Sequence, residues 1–248
     1  MKKMDLLNIK NKNDQIKVID MEFSKVITLY HGSEFIIDKP EFGKGKINND
    51  YGIGFYCTEN IELSKEWSVL ENRDGYSNKY ELELKGLKIL NLTNCPIFDW
   101  LLILMEHRTV ELNTINGEIA YEYLLENFNH HISVDDYDII VGYRADDSYF
   151  SFVVDFLNST LSVQNLKQVM HAGNLGIQIV IKSKKAFDKL KYLESEKVSY
   201  KTYFKKKDFR DKKARDVRRQ LLRANYNKRD FGLTMNKIIE KGYKYEED

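Results

Sequence analysis

Leu29-Tyr30-His31-Gly32-Ser33 and Gly52-Ile53-Gly54-Phe55-Tyr56-Cys57-Thr58 are the two stretches whose reading decides the fold. The first closes a β-branched, apolar run, Val26-Ile27-Thr28-Leu29-Tyr30, which reads as a strand ended by His31-Gly32-Ser33. The second sets two glycines ahead of a short aromatic strand, Gly54 to Thr58. The residues between them, with Gly43, Gly45, Asn48 and Asn49, have loop chemistry.

Outward from this pair, Asn60 to Leu70 reads as a helix with Thr58 as N-cap and Ile61, Ser64, Lys65 and Ser68 along one side. Lys79 to Lys85 alternates Tyr80, Leu82 and Leu84 with charged residues, the pattern of a half-buried strand, and Lys88 to Leu92 reads as another. Pro96 to His107 is a buried helix, and 118–128 a second one. Tyr137 to Gly142 is an apolar strand of the fully buried type. Helices over 147–158 and 162–171, a strand over Leu175 to Ser183 and a short helix over Lys184 to Leu190 follow. Lys191 to Tyr203 reads as extended or irregular, and Lys205 to about Lys241 as helical and charged. Short strands mixed with helices outside any regular βαβ alternation specify an α+β fold. The division is an N-terminal arm over 1–25, a domain over 26–200 and a basic helical extension over 201–248.

Composition narrows the function classes. The 248 residues suffice for one large domain with a substantial core. Apolar residues are 42% and charged residues 31%, with no repeat or low-complexity tract. Cys57 and Cys95 stand far apart with no ligand partner at metal spacing, so no metal is expected, and reduced thiols in a cytoplasmic protein are the simpler reading. Asp5 and Lys10 interrupt the N-terminal apolar run, which excludes a signal peptide, and no stretch has the length of a membrane span. The net charge of +1 hides eleven Lys or Arg against three Asp between Lys201 and Arg223. With Tyr203, Phe204 and Phe209 interleaved, that segment suits nucleic acid, an antitoxin partner, or docking onto the core through Val217, Leu221 and Leu222.

The chemistry-bearing residues make a set. Ser64 and Trp67, spaced i, i+3, share a helical face. Glycine beside His31 admits close backbone approach, so that an N–H and a C=O can meet a ligand amide. His31-Gly32-Ser33, Gly52-x-Gly54-Phe55-Tyr56, and Ser64 and Trp67, with eleven residues from Tyr56 to Trp67, resemble the pattern of poly-ADP-ribose polymerases and diphtheria-like toxins. The resemblance implies split antiparallel sheets around an NAD cleft. His31 would bond the adenine-side ribose. The Gly32 backbone and the Ser64 hydroxyl would hold the carboxamide, beside Ser33, and Tyr56 and Trp67 would sandwich nicotinamide.

A closer resemblance, over most of residues 26–195, is to the bacterial domain-of-unknown-function family 3990, which is grouped with ADP-ribosyltransferases. It rests on the same two stretches, on Trp100 with Arg108, on Tyr137 to Asp147, and on Gln178 to Ser183 with Ala186 and Leu190. It implies an intracellular mono-ADP-ribosyltransferase acting on a protein or nucleic acid, of toxin–antitoxin or phage-defence type. The polymerases carry a Glu on the late strand, where this chain has Gln178. Glutamine bonds a ribose hydroxyl but takes no proton, and loss of general-base help is worth about 10²–10⁴-fold. Slow NAD hydrolysis, or binding without turnover, therefore stays open. Asp146 and Asp147 are the substitute carboxylates or a helix N-cap. Arg144 would grip the pyrophosphate, or pair with Asp138 or Asp146. His130, His131 and His171 read as surface residues.

Overall fold

Period-two apolar patterning resolves into two sheets that share a core. The computed structural model describes residues 26–108, 112, 114–129, 132–145, 147–172, 176–226, 228 and 230–245. The arm read over 1–25 lies outside them, as do Asp146, His130 and His131. Strands β1 (Val26–Ser33), β3 (Gly75–Glu83) and β7 (Leu190–Val198) form an antiparallel sheet in the order β1-β3-β7. Strands β2 (Phe55–Cys57), β6 (Ile177–Ile181), β5 (Ile139–Tyr143) and β4 (Ile89–Asn91) form the second, in the order β2-β6-β5-β4. Leu29, Tyr80 and Leu82 of the first sheet cluster with Phe55, Cys57, Ile139, Ile179 and Ile181 of the second.

The alternate residues of the second sheet, Leu90, Ile140 and Val180, face a larger core made with helices. The helices of the chain's described residues are α1 (Ile61–Ser68), α2 (Ile97–His107), α3 (Ile115–Phe128), α4 (Asp147–Leu157), α5 (Val163–Ala172), the single turn α6 (Lys184–Phe187), α7 (Tyr200–Tyr226) and α8 (Met235–Glu240). Of these, α1 packs on β1 and β3, whereas α2 to α5 contribute to the larger core. Among the described residues no helix is long and apolar enough to cross a membrane.

The architecture is α+β, and four details depart from the sequence reading. The second sheet is mixed, because α2 and α3 lie between β4 and β5 and return the chain in the same direction, so these two strands pair parallel. β1 continues through Ser33, paired as far as Tyr76, instead of ending at Tyr30. The segment read as extended or irregular over Lys191 to Tyr203 is extended through Val198, as β7, but helical from Tyr200, where α7 begins. Thr58 does not cap α1, since its backbone pairs with Tyr30. Asn60 is the cap, accepting from the Glu62 and Leu63 amides. Asn60→Ala should therefore cost about 1 kcal/mol, measured as a lowered urea midpoint with an unchanged slope.

The basic helix α7 docks onto the domain. Ala214 is buried, and Val217, Leu221 and Leu222 pack on the larger core. Arg210 pairs with Glu66 of α1 at 2.8 Å, and Arg218 grips both oxygens of Asp155 on α4. Lys205, Lys213 and Arg215 stay exposed.

Candidate functional site

Among the described residues an isolated antiparallel bridge joins the two sheets, in which Tyr30 and Thr58 exchange both backbone hydrogen bonds at 2.8 and 2.9 Å. Continued by one more pair in the same register, the ladder would set Gly32 opposite Tyr56. It does not continue. The Tyr56 carbonyl accepts instead from His31 Nδ1 at 2.7 Å. Backbone groups alternate sides along a strand, so Gly32 aims its N–H and C=O the same way as Tyr30, into the notch past the bridge.

His31 stacks on Phe55, with ring centroids 4.3 Å apart. Burial pulls its imidazole below the usual histidine range, so the ring is neutral at pH 7. Because a carbonyl only accepts, Nδ1 carries the proton, and Nε2 is left as an acceptor.

Helix α1 packs closely against Gly32. A β-carbon at Gly32 would lie 2.1 Å from the Ser64 carbonyl and 3.0 Å from Trp67 Cβ. The close approach that the glycine permits is thus first of all that of a helix. Ser64 is fully buried, and its hydroxyl is engaged with that of Ser77 on β3. Ser33 Oγ accepts from the Phe35 amide. Trp67 faces Arg144, whose guanidinium lies 5.0 Å from the ring centre. Trp67 Nε1 is buried and meets no acceptor among the described residues.

Tyr56 is held by its hydroxyl, which donates to the Gly52 carbonyl at 2.7 Å and accepts from the Tyr51 amide at 3.0 Å. Burial raises its phenol well above the ordinary range, so it stays protonated. Among the described residues the Tyr56 and Trp67 rings do not touch. Asp147 begins α4, while Asp138 is occupied by the Lys88 amide and Ser183 rather than by Arg144.

The residue that the sequence reading passed over is Asp50, in the Asn- and Gly-rich loop before β2. It is 6% exposed. Its Oδ2 accepts from Gln178 Nε2 at 2.6 Å and from the Ala145 amide at 2.9 Å, and its Oδ1 faces Arg108 at 3.2 Å. Burial raises the carboxyl, opposed by these donors and by Arg108 and Arg144. Gln178 therefore sits beside a carboxylate. Beside this network, Tyr51 Oη donates to the Tyr143 carbonyl at 2.6 Å and accepts from Trp100 Nε1 at 3.0 Å.

The fold and site define an α+β protein with two sheets parting at a polar notch. The chain belongs to the family described as protein of unknown function DUF3990, whose model matches residues 27–192. No curated protein and no solved structure matches it.

Proposed function

We propose that the chain is a mono-ADP-ribosyltransferase that uses NAD as its substrate. The observation that carries this reading is the interrupted β1–β2 ladder, which leaves the Gly32 N–H and C=O facing a notch beside His31, Tyr56 and Trp67. A carboxamide has one acceptor and a pair of donors, which match an unpaired strand-edge peptide. His31 Nε2 suits a ribose hydroxyl as its acceptor. The unpartnered Trp67 Nε1 supplies a donor to the ligand, and the Tyr56 and Trp67 faces flank the ring, worth roughly 0.5–1.5 kcal/mol per stack beyond area burial. Arg144, beside Trp67, suits the pyrophosphate.

In the reaction the bond between ribose C1′ and the nicotinamide nitrogen breaks, and its electron pair leaves with neutral nicotinamide. The acceptor's lone pair forms the new bond to C1′, and its proton passes to solvent. Gln178 supports the ribose without removing a proton, which favours single transfer or slow hydrolysis over chain growth. In this reading the protein is a cytoplasmic toxin or defence effector, restrained by an antitoxin protein.

Incubation with adenylate-labelled NAD and a cell lysate should label protein or nucleic acid and release nicotinamide. Trp67→Ala should weaken NAD binding by more than about tenfold, read by calorimetry. Absence of both binding and release in the wild type would sink the proposal. Binding lost in Trp67→Ala without any turnover would favour a second reading, an NAD- or ADP-ribose-binding module, to which Gln178 points. RNA binding without NAD binding, lost on deleting residues 204–248, would favour a nucleic-acid module based on Lys205, Phe209, Lys213 and Arg215.

A further inference from the structure

We propose that Asp50 is a positioning residue, which locks the Gln178 carboxamide with its nitrogen inward so that Gln178 offers a ligand only its carbonyl oxygen. Gln178 Nε2 has two neighbours, Asp50 Oδ2 at 2.6 Å and the Tyr143 carbonyl at 3.4 Å. Both are acceptors. Rotating the amide by half a turn would set Oε1 against two oxygens and strand both N–H bonds, so only one orientation is satisfied. Among the described residues no donor reaches Oε1.

Asp50 is itself fixed from three sides. The Ala145 amide and Gln178 share its Oδ2, and Arg108 faces Oδ1. The loop residue thereby couples the end of β5 to β6, and it holds the side chain that would otherwise present either an acceptor or a donor. An acceptor at that point selects a ligand that donates there, as a ribose hydroxyl does and a phosphate or ether oxygen does not. This substrate selection rests on the NAD reading above, whereas the locked orientation does not.

Two substitutions separate positioning from proton transfer. Asp50→Ala removes the acceptor. Asp50→Asn keeps an oxygen able to accept from both Ala145 and Gln178 while abolishing any carboxylate chemistry. Nicotinamide release from NAD should fall in kcat by about 10²-fold in Asp50→Ala, as for a misplaced contact, with KM much less changed. It should stay within about tenfold of wild type in Asp50→Asn, which keeps both accepted hydrogen bonds but loses their charge assistance and turns an NH2 toward Arg108 in place of Oδ1.

The orientation is read independently of activity by hydrogen exchange of the Gln178 side-chain amide in ¹⁵N-labelled full-length protein. That amide should be protected in the wild type and in Asp50→Asn, and should exchange freely in Asp50→Ala. If Asp50→Ala does not fold, the other two proteins decide. Equal loss of release in folded Asp50→Asn and Asp50→Ala would make Asp50 a base and overturn the proposal, as would an unprotected Gln178 amide in the wild type. A protected amide in a protein that neither binds nor cleaves NAD would overturn the transferase reading and leave the positioning role standing.

Discussion

Gly32→Ala is expected to detach α1 from the first sheet. The added β-carbon would lie 2.1 Å from the Ser64 carbonyl oxygen, 2.8 Å from the Ser68 amide nitrogen and 3.0 Å from Trp67 Cβ. Two of these three are backbone atoms of a helix, which cannot swing aside as the end of a lysine would. Overpacking a core typically costs about 1–3 kcal/mol. Here the whole helix must move, and the buried Ser64–Ser77 hydroxyl pair breaks with it, for about 1–3 kcal/mol more. A loss of about 3 kcal/mol or more follows, a drop of roughly 6–12 °C in Tm for a chain of this size. Calorimetric melting checks it, and a Tm within about 2 °C of wild type would mean that α1 yields without strain. Because the same helix carries Trp67, intrinsic tryptophan fluorescence should shift in the variant even at temperatures where it stays folded.

Local pattern made the strands around this position legible, and for a physical reason. Tyr80 and Leu82 alternate with charged residues because one face of β3 meets the shared core and the other faces outward, and the period survives into the structure. β7 read no more definitely than extended or irregular because it is an edge strand. Its Lys191, Leu193, Glu194 and Lys197 face solvent or pair with neighbours at the surface, so the apolar period is reduced to Leu190, Tyr192 and Val198. The parallel pairing of β4 with β5 left no local trace, since it depends on where two intervening helices return the chain.

At the site, His31, Gly32, Tyr56 and Trp67 could be picked out as a spaced set, but not what each one touches. Gly32 suggested room for a ligand, and it also clears room for α1. Asp50 lay in a loop where Asn, Asp and Gly ordinarily serve turns. Nothing near it in sequence signals a carboxylate partner, because that partner, Gln178, lies 128 residues away. An apolar strand with one polar residue, Ile177-Gln178-Ile179-Val180-Ile181, was the available hint. A buried glutamine must have a partner somewhere.

That partnership reverses the result one would expect from Gln178→Glu. Read from the sequence, the substitution installs the missing base on the late strand. In the structure it sets a second carboxylate in place of the amide that donates to Asp50 at 2.6 Å and faces the Tyr143 carbonyl. Two carboxylates sharing a site cannot both ionise cheaply, so one retains its proton well above its ordinary pKa. Asp50 is already raised by burial, in the same direction. An unpaired buried charge costs about 3–5 kcal/mol.

The pH dependence has a definite sign. The folded variant binds a proton that the unfolded chain, with a glutamate near 4.3, releases. The folded state is therefore favoured at low pH, and its disadvantage grows as pH rises from the unfolded value toward the raised folded one. Urea unfolding of wild type and Gln178→Glu should differ little near pH 4 and most near pH 8, whereas a gap independent of pH would mean that the added carboxylate has turned away from Asp50. Asp50→Asn placed on top of Gln178→Glu removes the like charge and, turned with its oxygen toward Arg108, supplies an amide that can donate to the new carboxylate at the expense of the bond from the Ala145 amide. The double variant should recover stability at pH 8 relative to Gln178→Glu alone, because the carboxylate on β6 then faces a donor in place of a second carboxylate.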